Sequence, residues 1–180
     1  DIAFGAGAIA NSDVNGINAG AVVIGMSSVA NNSAGAGNNS VAIGRQAIAT
    51  STAAAGSSPT AIGAFANASG AGSQVAIGDS STASGTDAIA IGGHAFAAGS
   101  LASGTRSTAI GQSVTAAGQS AIAIGDGSQA SNTNSIAIGT GNNVSGANSG
   151  AIGDPNTITG SGSYALGNNN SIAANNAFAI

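Results

Sequence analysis

A four-residue motif, apolar-Ala-Ile-Gly, returns along the whole 180-residue chain, and its spacing limits the fold more than any other feature. The motif glycines are Gly5, Gly25, Gly44, Gly63, Gly78, Gly92, Gly111, Gly125, Gly139, Gly153 and Gly167. Successive separations are 20, 19, 19, 15, 14, 19, 14, 14, 14 and 14 residues. The unit is therefore 14 residues, with five or six extra in four units and one extra in another. Read at one fixed phase, such insertions mark a loop that lengthens while the rest of the unit keeps register.

With each glycine taken as position zero, position −1 is always large and apolar. Its regular members, the anchors of the repeat, are Ile24, Ile43, Ile62, Ile77, Ile91, Ile110, Ile124, Ile138 and Ile152. Position −2 is Ala in every unit except for Val23, and position −3 is mostly Val, Ile or Thr. Short β-branched runs ended by glycine read as strands, and four residues are too few for a helix. Five residues after the glycine comes a second apolar column, from Ala10, Ala30, Ala49, Ala68, Ala83 and Ala97 to Val144, Ile158 and Ile172. Small neighbours two residues earlier give it period two, the mark of a second strand. A second turn is expected near Gly70, Gly85, Gly99, Gly118, Gly146 and Gly160, with glycine at both turns supplying positive φ.

Equivalent strands all run the same way, so consecutive units are not hairpins. The economical arrangement is a solenoid whose coils stack as parallel strands about 4.8 Å apart. In the tetrad, all three residues before the glycine are apolar, which implies burial on both faces. Small Ala suits the thin interior of the coil, and the opposite face needs a cover. A thicker monomeric core would supply one. A narrow coil filled with Ala buries little area per residue, which favours instead association of identical chains by one sheet face, with closed symmetry.

Composition excludes several functions. Only 4% of residues are charged, with net charge −4, and Arg45 and Arg106 are the only cations, too few to neutralise nucleic acid. Cysteine is absent, so there is no disulfide or thiolate site. The 43% hydrophobic content argues against disorder. No apolar run approaches a membrane-spanning length, and Asp1-Ile2-Ala3-Phe4 has no basic leader, so the chain is expected to start and end inside a larger protein. Ser, Thr, Asn and Gln are expected to solvate the surface in place of charges.

Asn39-Ser40-Val41-Ala42-Ile43-Gly44, Asn134-Ser135-Ile136-Ala137-Ile138-Gly139 and Asn148-Ser149-Gly150-Ala151-Ile152-Gly153 resemble the N-S-V-A-I-G repeat of YadA-type heads in trimeric autotransporter adhesins. The resemblance covers residues 1–180 as a single head domain. It implies an all-β, left-handed parallel β-roll of about 14-residue coils, with three identical chains side by side. It also implies display from the outer membrane of a Gram-negative bacterium. The implied partners are a host extracellular matrix protein such as collagen, or the host cell surface. Neck, stalk and barrel anchor, which usually follow such heads, are not read in this sequence.

Enzymatic chemistry finds little support. His94 stands alone in a turn, without the converging ligands that a metal needs. Asp79, Asp126 and Asp154 share the phase just after the glycine, where Asp commonly caps turn amides. Asp13-Val14-Asn15-Gly16 lacks the ligand set of a calcium loop. Gly125-Asp126-Gly127-Ser128-Gln129-Ala130 matches a dinucleotide fingerprint but no helix pattern follows it. The reading is a non-enzymatic protein with no catalytic, cofactor or metal residues. Arg45 and Arg106 read as lone solvated side chains or partner anchors. Phe65 and Phe96 read equally as exposed contacts or as seals between chains. Two competitors remain: a spacer that projects another binding module, and an ice-binding solenoid. The latter needs a regular Thr ladder, and the sets Thr60/Thr108 and Thr82/Thr115/Thr157 are interrupted.

Overall fold

A computed structural model describes residues 1–11, 20–32, 39–52, 56–93 and 99–180. Each coil contributes two short strands, and each strand joins one of two parallel sheets. The first strands, from Ile2–Phe4 to Phe178–Ala179, form a twelve-stranded sheet in strict chain order. The second strands, from Ile9–Asn11 to Ser171–Ile172, form an eleven-stranded sheet. Pairing is always to the equivalent residue of the next coil, as in Ile110↔Ile124↔Ile138↔Ile152 and Ala102↔Ala116↔Ala130. No helix occurs among the described residues. This is the all-β parallel roll that the repeat predicts.

Position −2 points inward: Ala42, Ala61, Ala76, Ala90, Ala109, Ala123 and Ala137 are fully buried. The second strands meet them with positions +3 and +5, where Ala47, Ala49, Ala66 and Ala68 are equally buried. Methyl-sized side chains on both sheets let the two layers lie close together, so the core is a thin sandwich of Ala columns. Towards the C-terminal end, Val144 and Ile158 take over the +5 column and enlarge it.

The interior is not wholly apolar, which corrects the expectation that Ser and Asn serve the surface. Ser40, Ser107, Ser128, Ser135, Ser149, Ser163, Asn142 and Asn156 are all buried. The side chain at +3 bonds the anchor glycine of the next coil: Ser128 Oγ donates to Gly139 O at 2.8 Å, and Asn142 Nδ2 donates to Gly153 O at 2.7 Å. Its oxygen also accepts the next coil's +3 amide, as when Asn156 N–H donates to Asn142 Oδ1 at 2.9 Å. Two serines at −4 do the same at the opposite corner: Ser149 Oγ donates to Gly160 O at 2.8 Å and accepts from Ser163 N–H at 3.1 Å, and Ser163 Oγ donates to Ala174 O at 2.7 Å and accepts from Ala177 N–H at 3.0 Å, whereas the buried Ser107 Oγ has no partner among the described residues. Backbone groups freed by the turns are thereby satisfied inside the stack, as buried polar groups require.

Two expectations about the turns need correction. The anchor glycines do have positive φ, from +118° at Gly167 to +139° at Gly25. Of the second-turn glycines Gly70 shares it, at φ +153°, and the later ones do not. Gly85, Gly104, Gly118, Gly146 and Gly160 are needed for close approach: a Cβ on any of them would overlap a carbonyl of the next coil. The left-handed residues of that turn sit instead at position −5, at Asp87, Arg106, Ser120, Asn134, Asn148 and Asn176, with φ between 53° and 56°. Asn and Asp tolerate this region best, which gives the Asn of the N-S motif a conformational role.

The insertions also do not share one phase. In three long units the extra residues lie between the second strand and the next first strand. In the Gly92 unit they lie between Ile89–Ile91 and Leu101–Ala102. The inward residue of that second strand is therefore Ala102, paired with Ala83 and Ala116, and Ala97 falls outside the described residues. For the same reason Gly104, not Gly99, occupies the second turn there.

Candidate interaction surface

Because strand residues alternate, burying Ala at −2 forces −1 and −3 outward on the twelve-stranded sheet. All nine anchor isoleucines stand in one outward column, each in register with the next. None is fully buried: Ile24 is 41% exposed, and Ile152 and Leu166 are 48% exposed. Beside this column runs the β-branched column at −3. Together they make an apolar stripe along the stack, far longer than the scattered apolar residues of an ordinary monomer surface.

The −1 column opens with Phe4 and is then isoleucine from Ile24 to Ile152, and the stripe changes again at its C-terminal end. There Gly150 removes one −3 side chain, and the ring of Tyr164 from the next coil lies over the vacancy. A Cβ at Gly150 would stand 3.0 Å from Tyr164 Cδ1. Ile136, Ile152, Leu166 and Phe178 complete the rim of an apolar depression of about 260 Å³.

The outer face of the eleven-stranded sheet differs. Its +4 column begins apolar, with Ile9, Val29 and Ile48, and continues as Asn67, Thr82, Leu101, Thr115, Gln129, Asn143, Thr157 and Ser171. The three threonines of the second Thr set thus lie in one column, separated by other residue types. At the first-turn corner, Arg45 is not a lone side chain: its Cζ lies 4.2 Å from the ring centroid of Phe65. Phe65 itself occupies the corner and not a strand, with φ 58° and 42% exposure. Arg106 is exposed at the opposite corner.

The acidic residues follow turn chemistry. Asp87 Oδ1 accepts Ser73 N–H at 2.9 Å, Asp1 Oδ1 accepts Ala21 N–H at 2.9 Å, and Asp79 Oδ1 accepts Ser80 Oγ–H at 2.8 Å. Asp126 and Asp154 are exposed, with Thr140 in the coil between them. Among the described residues no three of His, Asp or Glu come together. His94, Phe96 and the Asp13 segment lie outside the described residues.

The repeat, the two-sheet roll and its outward isoleucine column define a parallel β-solenoid with one outer face apolar along its length. The family model for the YadA head domain repeat matches residues 36–57, 75–95, 98–113, 102–128, 116–142 and 130–154, together more than half of the chain. The chain belongs to the YadA head repeat family, and its general role is that of a trimeric autotransporter adhesin head. No curated protein sequence matched the chain.

Proposed function

We propose that this chain is a non-enzymatic adhesive head that acts as a homotrimer. Three copies pack through the apolar faces of their twelve-stranded sheets. The outer faces of the eleven-stranded sheets then form the exterior, displayed from the outer membrane of a Gram-negative bacterium towards a host matrix protein such as collagen, or towards the host cell surface. The observation that carries this reading is the division between the two outer faces, one an apolar ladder and the other largely a ladder of Ser, Thr, Asn and Gln. An apolar stripe of this length is a liability in water and an asset at a closed interface. The polar ladder offers similar groups at every strand spacing, so weak contacts to an extended ligand multiply into avidity.

The test is binding of the trimer to immobilised matrix proteins and to host cells at micromolar concentration. Saturable binding that competes with soluble matrix protein is expected. Absence of binding to every surface, or full adhesion by a parent protein in which this segment is replaced by a spacer of equal length, refutes the adhesive role.

A further inference from the structure

The outer face of the eleven-stranded sheet changes character along the stack. At +4 the aliphatic residues are Ile9, Val29, Ile48 and Leu101, which belong to the four long units; every other unit carries Asn, Thr, Gln or Ser there. The plain units pair in the same register, so the fold itself does not need an aliphatic side chain at +4. Three of the four adjoin, Ile9 pairing with Val29 and Val29 with Ile48, and Ile9 is 53% and Ile48 38% exposed. The first-turn corner adds exposed Met26, Arg45 and Phe65, with Met26 three residues before Val29 and Arg45 three before Ile48. An exposed apolar patch at one end of an otherwise polar face marks an interaction site.

Arg45 defines the chemistry of the partner. It is one of two cations in a chain of net charge −4. The Phe65 ring stands against its guanidinium, 4.2 Å from Cζ to the ring centroid. Stacking leaves the edge of a guanidinium, where the N–H donors lie, open to a planar carboxylate. Among the described residues no carboxylate pairs with Arg45. Phe65 holds its place at φ 58°, a conformation that is strained for a bulky aromatic residue and that Ser, Gln or Asn take at the same corner in other coils. A sulfated glycan needs several cations and offers no apolar side chains, so one cation beside an aliphatic column fits a polypeptide instead.

We propose that this patch binds an extended polypeptide segment in which a carboxylate follows large apolar side chains. The apolar side chains lie on Ile9, Val29 and Ile48, and the carboxylate accepts a charged hydrogen-bond pair from Arg45. This deepens the adhesive reading and rests on its assignment of the eleven-stranded sheet to the exterior. Binding energy in protein interfaces concentrates in a few aromatic, aliphatic and Arg anchors, ringed by polar contacts that contribute little. The first coils thus carry the anchor, and the polar ladder from Asn67 onward supplies the surrounding contacts.

The test titrates two fluorescein-labelled peptides with the protein and follows anisotropy. Each peptide has leucines at alternate positions with serines between, so the leucines share one side of an extended backbone; one ends that row in Glu, the other in Gln. The Glu peptide is expected to bind about fivefold more tightly, and Arg45→Gln to abolish the preference while Arg106→Gln leaves it unchanged. Ile48→Thr is expected to weaken both peptides about tenfold at an unchanged melting temperature, since Thr82 and Thr115 fill the same column. Absence of a Glu preference, a preference that survives Arg45→Gln, or displacement of the peptide by heparin overturns the site. A melting temperature lowered by several degrees in Ile48→Thr shows that the chain itself covers Ile48, and also overturns it. In the adhesion assay above, adhesion undiminished by Arg45→Gln with Ile48→Thr overturns the patch as the contact and leaves the adhesive reading standing; peptide binding without adhesion to any surface does the reverse.

Discussion

Replacing Asn142 with alanine isolates the role of the buried amide column. Asn142 is fully buried, donates from Nδ2 to Gly153 O at 2.7 Å and to Ile138 O at 3.0 Å, and accepts Asn156 N–H at 2.9 Å. Alanine leaves the Asn156 amide without its acceptor and Gly153 O without its side-chain donor. Each buried group deprived of a partner costs roughly 1–3 kcal/mol, so Asn142→Ala is expected to destabilise the fold by about 3 kcal/mol. For a chain of this size that lowers the melting temperature by about 6–12 °C. Asn142→Ser is the informative companion. Ser128 holds the same place one coil earlier, donating to Gly139 O at 2.8 Å and accepting Asn142 N–H at 3.3 Å. Serine at 142 is therefore expected to recover most of the loss. The assay is urea unfolding at fixed protein concentration, followed by the β-sheet circular dichroism signal. An alanine cost below about 1 kcal/mol, or a serine variant no better than alanine, refutes the view that the column works by satisfying backbone groups.

Three further outcomes are expected. Gly125→Ala places a Cβ against Gly139 O at φ +127° and is expected to cost more than about 3 kcal/mol; Gly127→Ala, at φ +63° with open space around it, is expected to cost about 1–2 kcal/mol, the two being compared by thermal unfolding. Ile138→Asp puts a charge on the outward apolar column without touching the Ala core, so light scattering is expected to show the mass falling to the 16.4 kDa of one chain while the circular dichroism spectrum is kept. Arg45→Ala uncovers the Phe65 ring and is expected to cost about 0.5–1 kcal/mol, which a double-mutant cycle with Phe65→Leu would show as coupling.

The parts of this fold legible in the sequence are those set by the 14-residue period: parallel stacking, Ala at −2 inside, and the anchor isoleucines in one column. These follow from chain direction and strand alternation, which leave little choice. The place of the fourth insertion is not legible, because Ala95, Ala97 and Ala102 share the same small side chain and composition alone cannot say which alanine begins the second strand. The interior hydrogen-bond columns are masked in the sequence because Ser and Asn are ordinarily surface residues. A signal was nonetheless present: Asn142, Asn156 and Asn170 recur at 14-residue intervals, as do Ser135, Ser149 and Ser163. Polar residues that keep strict repeat phase mark a structural duty. The cover over Phe65 was not readable, since Arg45 and Phe65 belong to different coils and meet only because +1 of one stands beside +2 of the next.

The placement of the long units at either corner has a consequence for how such a rod changes over time. Every rung is closed by hydrogen bonds between neighbouring strands, and the strands of the Gly92 unit still match those above and below despite its extra residues. Residues can therefore be inserted between strands while the pairing above and below is kept. Reach grows with the number of rungs, and the length of chain between the strands varies independently of it.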